Sequence, residues 1–274
     1  MTVREALAYA AERLSSITDE AGTEARLLLA ELTGLSPSAL RLSGDTLDEA
    51  AFVKLEGFIK RRLLREPLQY VLGEWYFMGL PFCVSPAALI PRQDTETLCE
   101  EALRLAAERA YASALDICTG TGCIAISLKK LAGRSLSIEA SDISPDALAL
   151  ARRNAEKNGA EIVFRLADLF EGAGSYDLIT ANPPYICDAD MACLQEEVRF
   201  EPALALAGGP DGLDIYRRIA KVAPAHVKKG GALIMEVGMG QAEAVAAMFP
   251  DNRVRIIKDP GGVDRVVAID FRYA

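Results

Sequence analysis

Along the first part of the chain, apolar residues recur at three- and four-residue spacing. The sets are Ala6, Leu7, Ala10 and Leu14; Ala25, Leu28, Leu29 and Leu32; and Leu47, Phe52, Leu55, Phe58, Ile59 and Leu63. Such spacing places each set on one helix face, which predicts short amphipathic helices packed as a small bundle. Thr46 and Glu49 stand in capping-box spacing ahead of the third set and predict where that helix starts. Between Trp75 and Ile90 the pattern becomes alternating aromatic and apolar, broken by Gly79, Pro81 and Pro86, as expected of a β-hairpin linker.

From residue 94 onward, strand-like and helix-like segments alternate, which predicts an α/β fold with a parallel sheet covered by helices on both faces. The candidate strands are Ala114–Cys118, Leu136–Ser141, Ile162–Leu166, Asp177–Ala181, Ala232–Val237, Val254–Lys258 and Arg265–Asp270. The helix from Pro145 to Asn158 has a complete set of end signals. Ser144 suits the cap, Pro145 the first turn, Asp146 the dipole and Gly159 the stop. Only Pro260-Gly261-Gly262-Val263-Asp264 separates the last two strands, too little for a helical crossover, so they should pair antiparallel. The expected organisation is a helical segment over 1–74, a hairpin linker over 75–92 and an α/β segment over 93–274.

Composition narrows the class. The 274 residues are 51% hydrophobic and 25% charged, enough to build a sizeable core. A net charge of −9 and a pI near 4.9 count against a generic nucleic-acid binder, which needs a cationic footprint. Lys60, Arg61, Arg62 and Arg65 form the one dense basic cluster, read as a solvated helix face and a charge complement to the helix C-terminus. The six cysteines form no C-x-x-C pair and His226 is the single histidine, so no metal site is expected. Four of the six cysteines lie in or beside apolar segments, as buried reduced thiols of a cytosolic protein would. The start Met1-Thr2-Val3-Arg4-Glu5 does not resemble a signal peptide, and no run of about 18 apolar residues occurs. The expectation is a cytoplasmic protein without membrane contact.

Candidate chemistry begins at Asp116-Ile117-Cys118-Thr119-Gly120-Thr121-Gly122, a strand running through glycines into the helical pattern Cys123–Leu131. Glycines there let backbone amides approach a ligand at the sheet's carboxyl edge, and the ligand is expected to be nucleotide-like. Asp142 ends the next strand, where its carboxylate would accept from two ribose hydroxyls. Asp168 ends the third, where it would face an adenine amino group with Leu169 on the ring. Either carboxylate taken alone reads better as a helix cap or turn, but the two together, one per successive strand end, favour a site. Gly120-Thr121-Gly122-Cys123-Ile124-Ala125 also fits the dinucleotide fingerprint loosely, which keeps a nicotinamide-dependent oxidoreductase open.

A second motif, Asn182-Pro183-Pro184-Tyr185, follows the apolar run Tyr176–Ala181. An amide followed by two prolines that lack backbone donors makes a rigid ledge of acceptors beside an aromatic ring, a device for holding an NH2 group. Asn-Pro is also a common strand-ending turn. His226 reads as a surface or helix-end residue, and Glu236 as a structural carboxylate as readily as part of a site.

Asp116 to Gly122, Asp142 and Asn182 to Tyr185 together resemble the motifs of S-adenosylmethionine-dependent methyltransferases acting on planar nitrogen. Further stretches are similar to the peptide chain release factor glutamine methyltransferase family: Arg65 to Gly73, Leu89-Ile90-Pro91-Arg92, Thr95-Glu96, Phe200-Glu201-Pro202 with Ala203-Leu204, Gly208-Gly209 with Asp211 to Leu213, and Glu236-Val237-Gly238 with Gln241. The resemblance covers about residues 60 to 270. It implies a seven-stranded, mostly parallel Rossmann-like methyltransferase sheet with an antiparallel last strand, behind a helical substrate-recognition domain.

The implied reaction is methyl transfer from S-adenosylmethionine, leaving S-adenosylhomocysteine, to N5 of the glutamine in the Gly-Gly-Gln motif of class I release factors. Cys118, Thr119, Gly120, Thr121, Gly122, Asp142, Leu169 and Asn182 would contact the cofactor. Asn182, Pro183, Pro184 and Tyr185 would hold the glutamine, with Asn182, Pro183 and Tyr185 serving catalysis. The enzyme would act as a monomer on a protein, without direct nucleic-acid contact. Two departures stand out: the family usually has glycine where Cys118 stands, and proline where Gln93 stands. A non-catalytic module that binds the translation machinery is the remaining alternative.

Overall fold

The computed structural model describes residues 1–41, 43–133 and 136–271. The last residues of the expected 93–274 segment, 272–274, lie outside that set. The chain forms two compact units, one of Met1–Glu74 with Gln195–Phe200, the other of Trp75–Leu194 with Glu201–Ala274.

The first unit is helical: α1 (Val3–Leu14), α2 (Ala21–Thr33), α3 (Glu49–Leu63) and the short α4 (Leu68–Leu72). Ala6, Ala10, Leu14, Leu28, Leu29, Leu55 and Ile59, all from the periodic sets, are buried together in one apolar cluster. The expected start of α3 is corrected. Asp48 is its N-cap and accepts the Ala51 N–H, whereas Thr46 pairs with Thr2 in an isolated β-bridge. A capping box does form, at Thr2 and Glu5 of α1.

The basic cluster of α3 does sit in the helix's last turn, with Lys60 exposed, but the solvated-face reading is corrected at Arg62. Arg62 is 3% exposed, holds both carboxylate oxygens of Glu24 at 2.8 and 3.0 Å and donates to the Glu66 carbonyl. Arg61 binds Glu66, and Arg65 pairs with Glu196 and Glu197. These guanidiniums are spent inside the unit, and a buried arginine survives only when paired in this way.

In the second unit, β1 (Glu74–Phe77) and β2 (Leu80–Cys83) make the expected hairpin, turning at Met78 and Gly79, both with positive φ. The main sheet contains β3 (Ser113–Ile117), β4 (Ser137–Asp142), β5 (Val163–Leu166), β6 (Tyr176–Ala181), β7 (Val227–Glu236), β8 (Arg253–Lys258) and β9 (Asp264–Asp270). Their order is β5-β4-β3-β6-β7-β9-β8, and β9 alone runs against its neighbours. Seven mostly parallel strands with an antiparallel last strand match the sequence expectation.

Side chains alternate across this sheet. Ala114, Leu178, Ala232, Ile234, Val266 and Ala268 enter one core with α5 (Glu96–Glu108) and α6 (Cys123–Leu131). Leu115, Ile179, Leu233, Met235, Val267 and Ile269 enter the other with α9 (Asp214–Val222) and α10 (Ala242–Ala246), α8 (Asp188–Met191) being a single turn. On the first face α7 (Pro145–Asn158) has the predicted ends: Ser144 accepts the Ala147 N–H and Gly159 is left-handed. Burying both faces explains why the strands read as continuous apolar runs. The strand order reverses beside β3, since β4 lies on one side and β6 on the other, and that switch point is where open α/β sheets bind ligands.

Candidate active site

Strand register sets the site. Ile117 of β3 lies opposite Ser141 of β4 and Ala181 of β6, and Asp142 lies opposite Leu166 of β5. The residues that follow, Cys118, Asp142, Ala167 and Asn182, therefore leave the sheet at one level along its carboxyl edge. A cleft opens there, of about 1110 Å³ when the space open to solvent is included. Cys118, Thr119, Gly120, Thr121, Asp142, Asp168, Leu169, Asn182 and Pro184 line it.

The glycine turn forms one wall. Cys118, Gly120 and Gly122 take φ of +56°, +54° and +79°. A Cβ on Gly122 would also stand 3.1 Å from Ile126 Cδ1 and 3.2 Å from Ala151 Cβ, so glycine is needed there for space as well as conformation. Gly122 is the cap of α6, beneath the turn and not in the cleft wall. Cys118 has no such freedom; it holds a left-handed conformation that costs an ordinary residue about 1–2 kcal/mol.

Below the turn, fully buried Asp116 accepts from Thr119 Oγ1 at 2.6 Å and from Thr180 Oγ1 at 2.7 Å. It thereby ties the loop to β6. Burial pushes its carboxyl up to about 7, against the pull of the two hydroxyls. Asp142 accepts the Gly120 N–H at 2.8 Å and the Ser144 N–H at 2.9 Å, one on each oxygen. Each oxygen keeps a lone pair for a ligand hydroxyl. Burial raises the Asp142 carboxyl, and the backbone donors offset part of that.

Asn182 donates from Nδ2 to Thr95 Oγ1 at 3.4 Å, which leaves Oδ1 as its acceptor. Of the tetrapeptide, Asn182 and Pro184 line the cleft. Pro183 is buried, and Tyr185 packs into the core of the α9 face. Burial raises the Tyr185 hydroxyl. The Tyr185 carbonyl accepts from Gln241 Nε2 at 2.9 Å while Gln241 Oε1 accepts the Gly238 N–H, so the segment is held from behind. Asp168 bonds Arg218 at 2.7 Å across the cleft wall.

Several lining residues had no role in the sequence reading. Arg218 is one; nothing in its helix pattern distinguishes it from a solvent-facing arginine. Glu201 stands behind the lining and also had none: its side chain is 1% exposed, takes the Ile90 N–H at 2.9 Å and pairs with Arg92. That pairing pins the Leu89–Arg92 wall. Their motifs carried the family resemblance, but the link spans 109 residues and is invisible locally. His226 is committed elsewhere, with Nδ1 on the Gly174 carbonyl and its ring stacked on Phe170. Cys83, Cys99 and Cys123 are buried, Cys118 and Cys187 half-buried and Cys193 exposed, all as free thiols.

The residues present fit S-adenosylmethionine: a turn with backbone close to the ligand, a carboxylate with spare lone pairs, and apolar Ile143 and Leu169 along the same wall. Comparisons with known proteins agree. Residues 5–73 match the PrmC N-terminal domain family and residues 97–198 the methyltransferase small domain family. A release factor glutamine methyltransferase of Geobacter sulfurreducens is 45% identical over 256 residues, covering 91% of this chain and 89% of that protein. Another, of Cereibacter sphaeroides, is 41% identical over 277 residues and 98% of both chains.

Solved structures give the fold. A Pyrococcus furiosus methyltransferase superposes with a TM-score of 0.53 at 16% identity, covering 83% of this chain and all of that one. A Thermus thermophilus 16S rRNA methyltransferase in complex with AdoMet and guanosine reaches 0.51 at 16% identity, over 73% of this chain and 50% of its own. Relatives of this identity and coverage leave no room for the oxidoreductase or the non-catalytic module. The chain belongs to the release factor glutamine methyltransferase family and is an S-adenosylmethionine-dependent methyltransferase.

Proposed function

We propose that the protein methylates N5 of the glutamine in the Gly-Gly-Gln motif of class I release factors. The observation that carries this reading is Asn182, whose nitrogen is engaged by Thr95 so that its oxygen is the atom left to accept a substrate N–H. The glycine turn, Asp142 and Leu169 would hold the cofactor, and Asp168, tied to Arg218, would stand at its adenine end. When bound, S-adenosylmethionine supplies a methyl group made electrophilic by its sulfonium.

What the chain's residues add is aim. An amide nitrogen is a poor nucleophile because its lone pair is delocalised into the carbonyl. Asn182 Oδ1 and the Pro183 carbonyl, accepting the two N–H groups, would turn the lone-pair face toward the methyl and favour the positive charge that develops on nitrogen. Tyr185, held through its carbonyl by Gln241 and packed into the core of the α9 face, would support the acceptor segment from behind. We assign no general base. The acidic chain, at −9, supports a protein substrate over a nucleic acid, and we place the enzyme in the cytoplasm as a monomer.

The test is incubation with methyl-labelled S-adenosylmethionine and an unmethylated release factor, followed by mass spectrometry of the loop peptide. Label on the glutamine is the expected result, and label elsewhere or none overturns the reading. Asn182→Ala should lose on the order of 100-fold in turnover while calorimetry finds cofactor affinity largely intact.

A further inference from the structure

The row of residues at the carboxyl edge continues past Asn182. Ala181 of β6 lies opposite Met235 of β7, so Asn182 and Glu236 are level on adjacent parallel strands. Glu236 shares the side of Ala232 and Ile234, the face where Thr95 leads into α5. It is 2% exposed, and Thr95 and Asn182 are the neighbouring polar side chains that pull its carboxyl down. Thr95 is itself 2% exposed, so water does not compete for its hydroxyl.

A carboxylate can only accept. A Thr95 hydroxyl that turns its one proton toward this carboxylate keeps Oγ1 as an acceptor, which is the role it has for Asn182 Nδ2, 3.4 Å away. Turning the Asn182 amide over would set its oxygen against a hydroxyl with no proton to give and against a carboxylate. The negative charge thus dictates which end of the amide points toward the cleft.

We propose that Glu236 and Thr95 are positioning residues for methyl transfer, acting through Asn182 by fixing its amide with Oδ1 free for the substrate. This rests on the glutamine-methylation reading above. A purely structural carboxylate at the end of β7 would stabilise the sheet without governing the Asn182 orientation, and the two roles separate in their pH dependence.

Burial pushes the Glu236 carboxyl up to about 7; Thr95, Arg265 and Asn182 pull it down and Asp94 pushes it further up. The other ionisable groups that face it, Tyr185, Tyr216, Cys99 and Cys123, are all raised by burial and stay neutral. Its Oε2 has no hydrogen-bond partner among the described residues. Below about pH 7 the group becomes a donor, Thr95 is released to point either way, and the Asn182 amide loses its preferred orientation. Turnover should therefore rise with pH through about 7.

The experiment measures kcat and KM on an unmethylated release factor from about pH 5.5 to 9, with cofactor affinity by calorimetry, for wild type, Glu236→Gln, Thr95→Val and Thr95→Ser. Glutamine at 236 can both donate and accept, and valine at 95 keeps the shape without the hydroxyl. Both should lose roughly 10- to 100-fold in kcat with cofactor affinity within about twofold of wild type. Glu236→Gln should also lose the rise through pH 7, and Thr95→Ser should recover to within roughly threefold of wild type.

Glu236→Gln with wild-type kcat and the wild-type pH rise overturns the proposal. So does a loss of cofactor affinity that matches the loss of turnover. If Glu236→Gln does not fold, Thr95→Val against Thr95→Ser decides the matter, and equal turnover of the two overturns the proposal. Wild type that leaves the glutamine unmodified overturns the substrate reading and this proposal together, whereas wild-type turnover with an unaltered Glu236→Gln overturns this proposal alone.

Discussion

Cys118 sits at a φ of +56°, a conformation that favours glycine, and this makes a backbone cost measurable. The left-handed conformation costs a residue with a Cβ about 1–2 kcal/mol. Glycine would remove that cost and lose about 0.5–1 kcal/mol through its greater freedom in the unfolded chain. Replacing cysteine also removes a half-buried thiol, so the control is Cys118→Ala, which deletes the sulfur and keeps the strain. The difference isolates the backbone: Cys118→Gly should be more stable than Cys118→Ala by about 0.5–1 kcal/mol. For a chain of this size that is a melting difference of about 1–4 °C, readable by scanning calorimetry without cofactor. Cys118→Gly melting at or below Cys118→Ala would refute the strain argument, and with it the idea that a residue with a Cβ at 118 strains the loop.

Three further outcomes follow from the same geometry. Gly122→Ala meets both a φ of +79° and contacts of 3.1 and 3.2 Å, and should cost about 2–3 kcal/mol in denaturant unfolding; a loss under 1 would mean that α7 gives way. Asp142→Asn puts an amide nitrogen against one of two backbone donors and should weaken cofactor binding about tenfold or more in calorimetry with the melting temperature nearly kept; unchanged affinity would remove Asp142 from the ribose role. Asp116, raised to about 7 in the fold, holds a proton that the unfolded chain releases near pH 4. Its contribution to stability is therefore complete below about pH 4 and lost as pH rises through about 7. In urea titrations at about pH 5 and 8, wild type should lose stability relative to Asp116→Asn at the higher value, and a difference that does not change with pH would contradict the assignment.

The sequence exposed what is local or periodic. Ser144, Pro145 and Gly159 end α7 as their residue types dictate, because each acts on backbone groups within four positions. The strand ends carrying Asp142 and Asn182 were legible for a related reason: a buried parallel strand is an apolar run, and a polar residue closing it stands at the edge. Thr46 misled because its capping box competes with a β-bridge to Thr2, a partner 44 positions away that no window contains. Arg62 misled in the same way, since its partner Glu24 sits on another helix, 38 positions off. In the site, Arg92 with Glu201 and Asp168 with Arg218 are pairings of that kind. Register and helix packing create them, and residue type does not announce them.

The two buried carboxyls of the site share one logic. Asp116 and Glu236 lie on the same face of the sheet, and each has hydroxyls against it: Thr119 and Thr180 at the first, Thr95 at the second. A buried charge is costly unless it is satisfied, so an apolar residue at either place would be the cheaper way to fill the core. What an apolar residue cannot do is give direction. An acceptor that never donates forces the hydroxyl beside it to donate, and so decides which way the next group must face. At Asp116 that group is the Thr119 hydroxyl, and the cofactor turn is fixed to β3 and β6. At Glu236, on the proposal above, it is the Asn182 amide, and the substrate acceptor is turned toward the cleft. Both carboxyls are raised to about 7, so mild acid should remove the direction that each charge imposes on its neighbours, even though protonation of Asp116 favours the fold itself. Activity should then fall in acid well before the helical unit or the sheet unfolds, and a loss of activity that simply tracked unfolding would show that neither carboxyl gives direction.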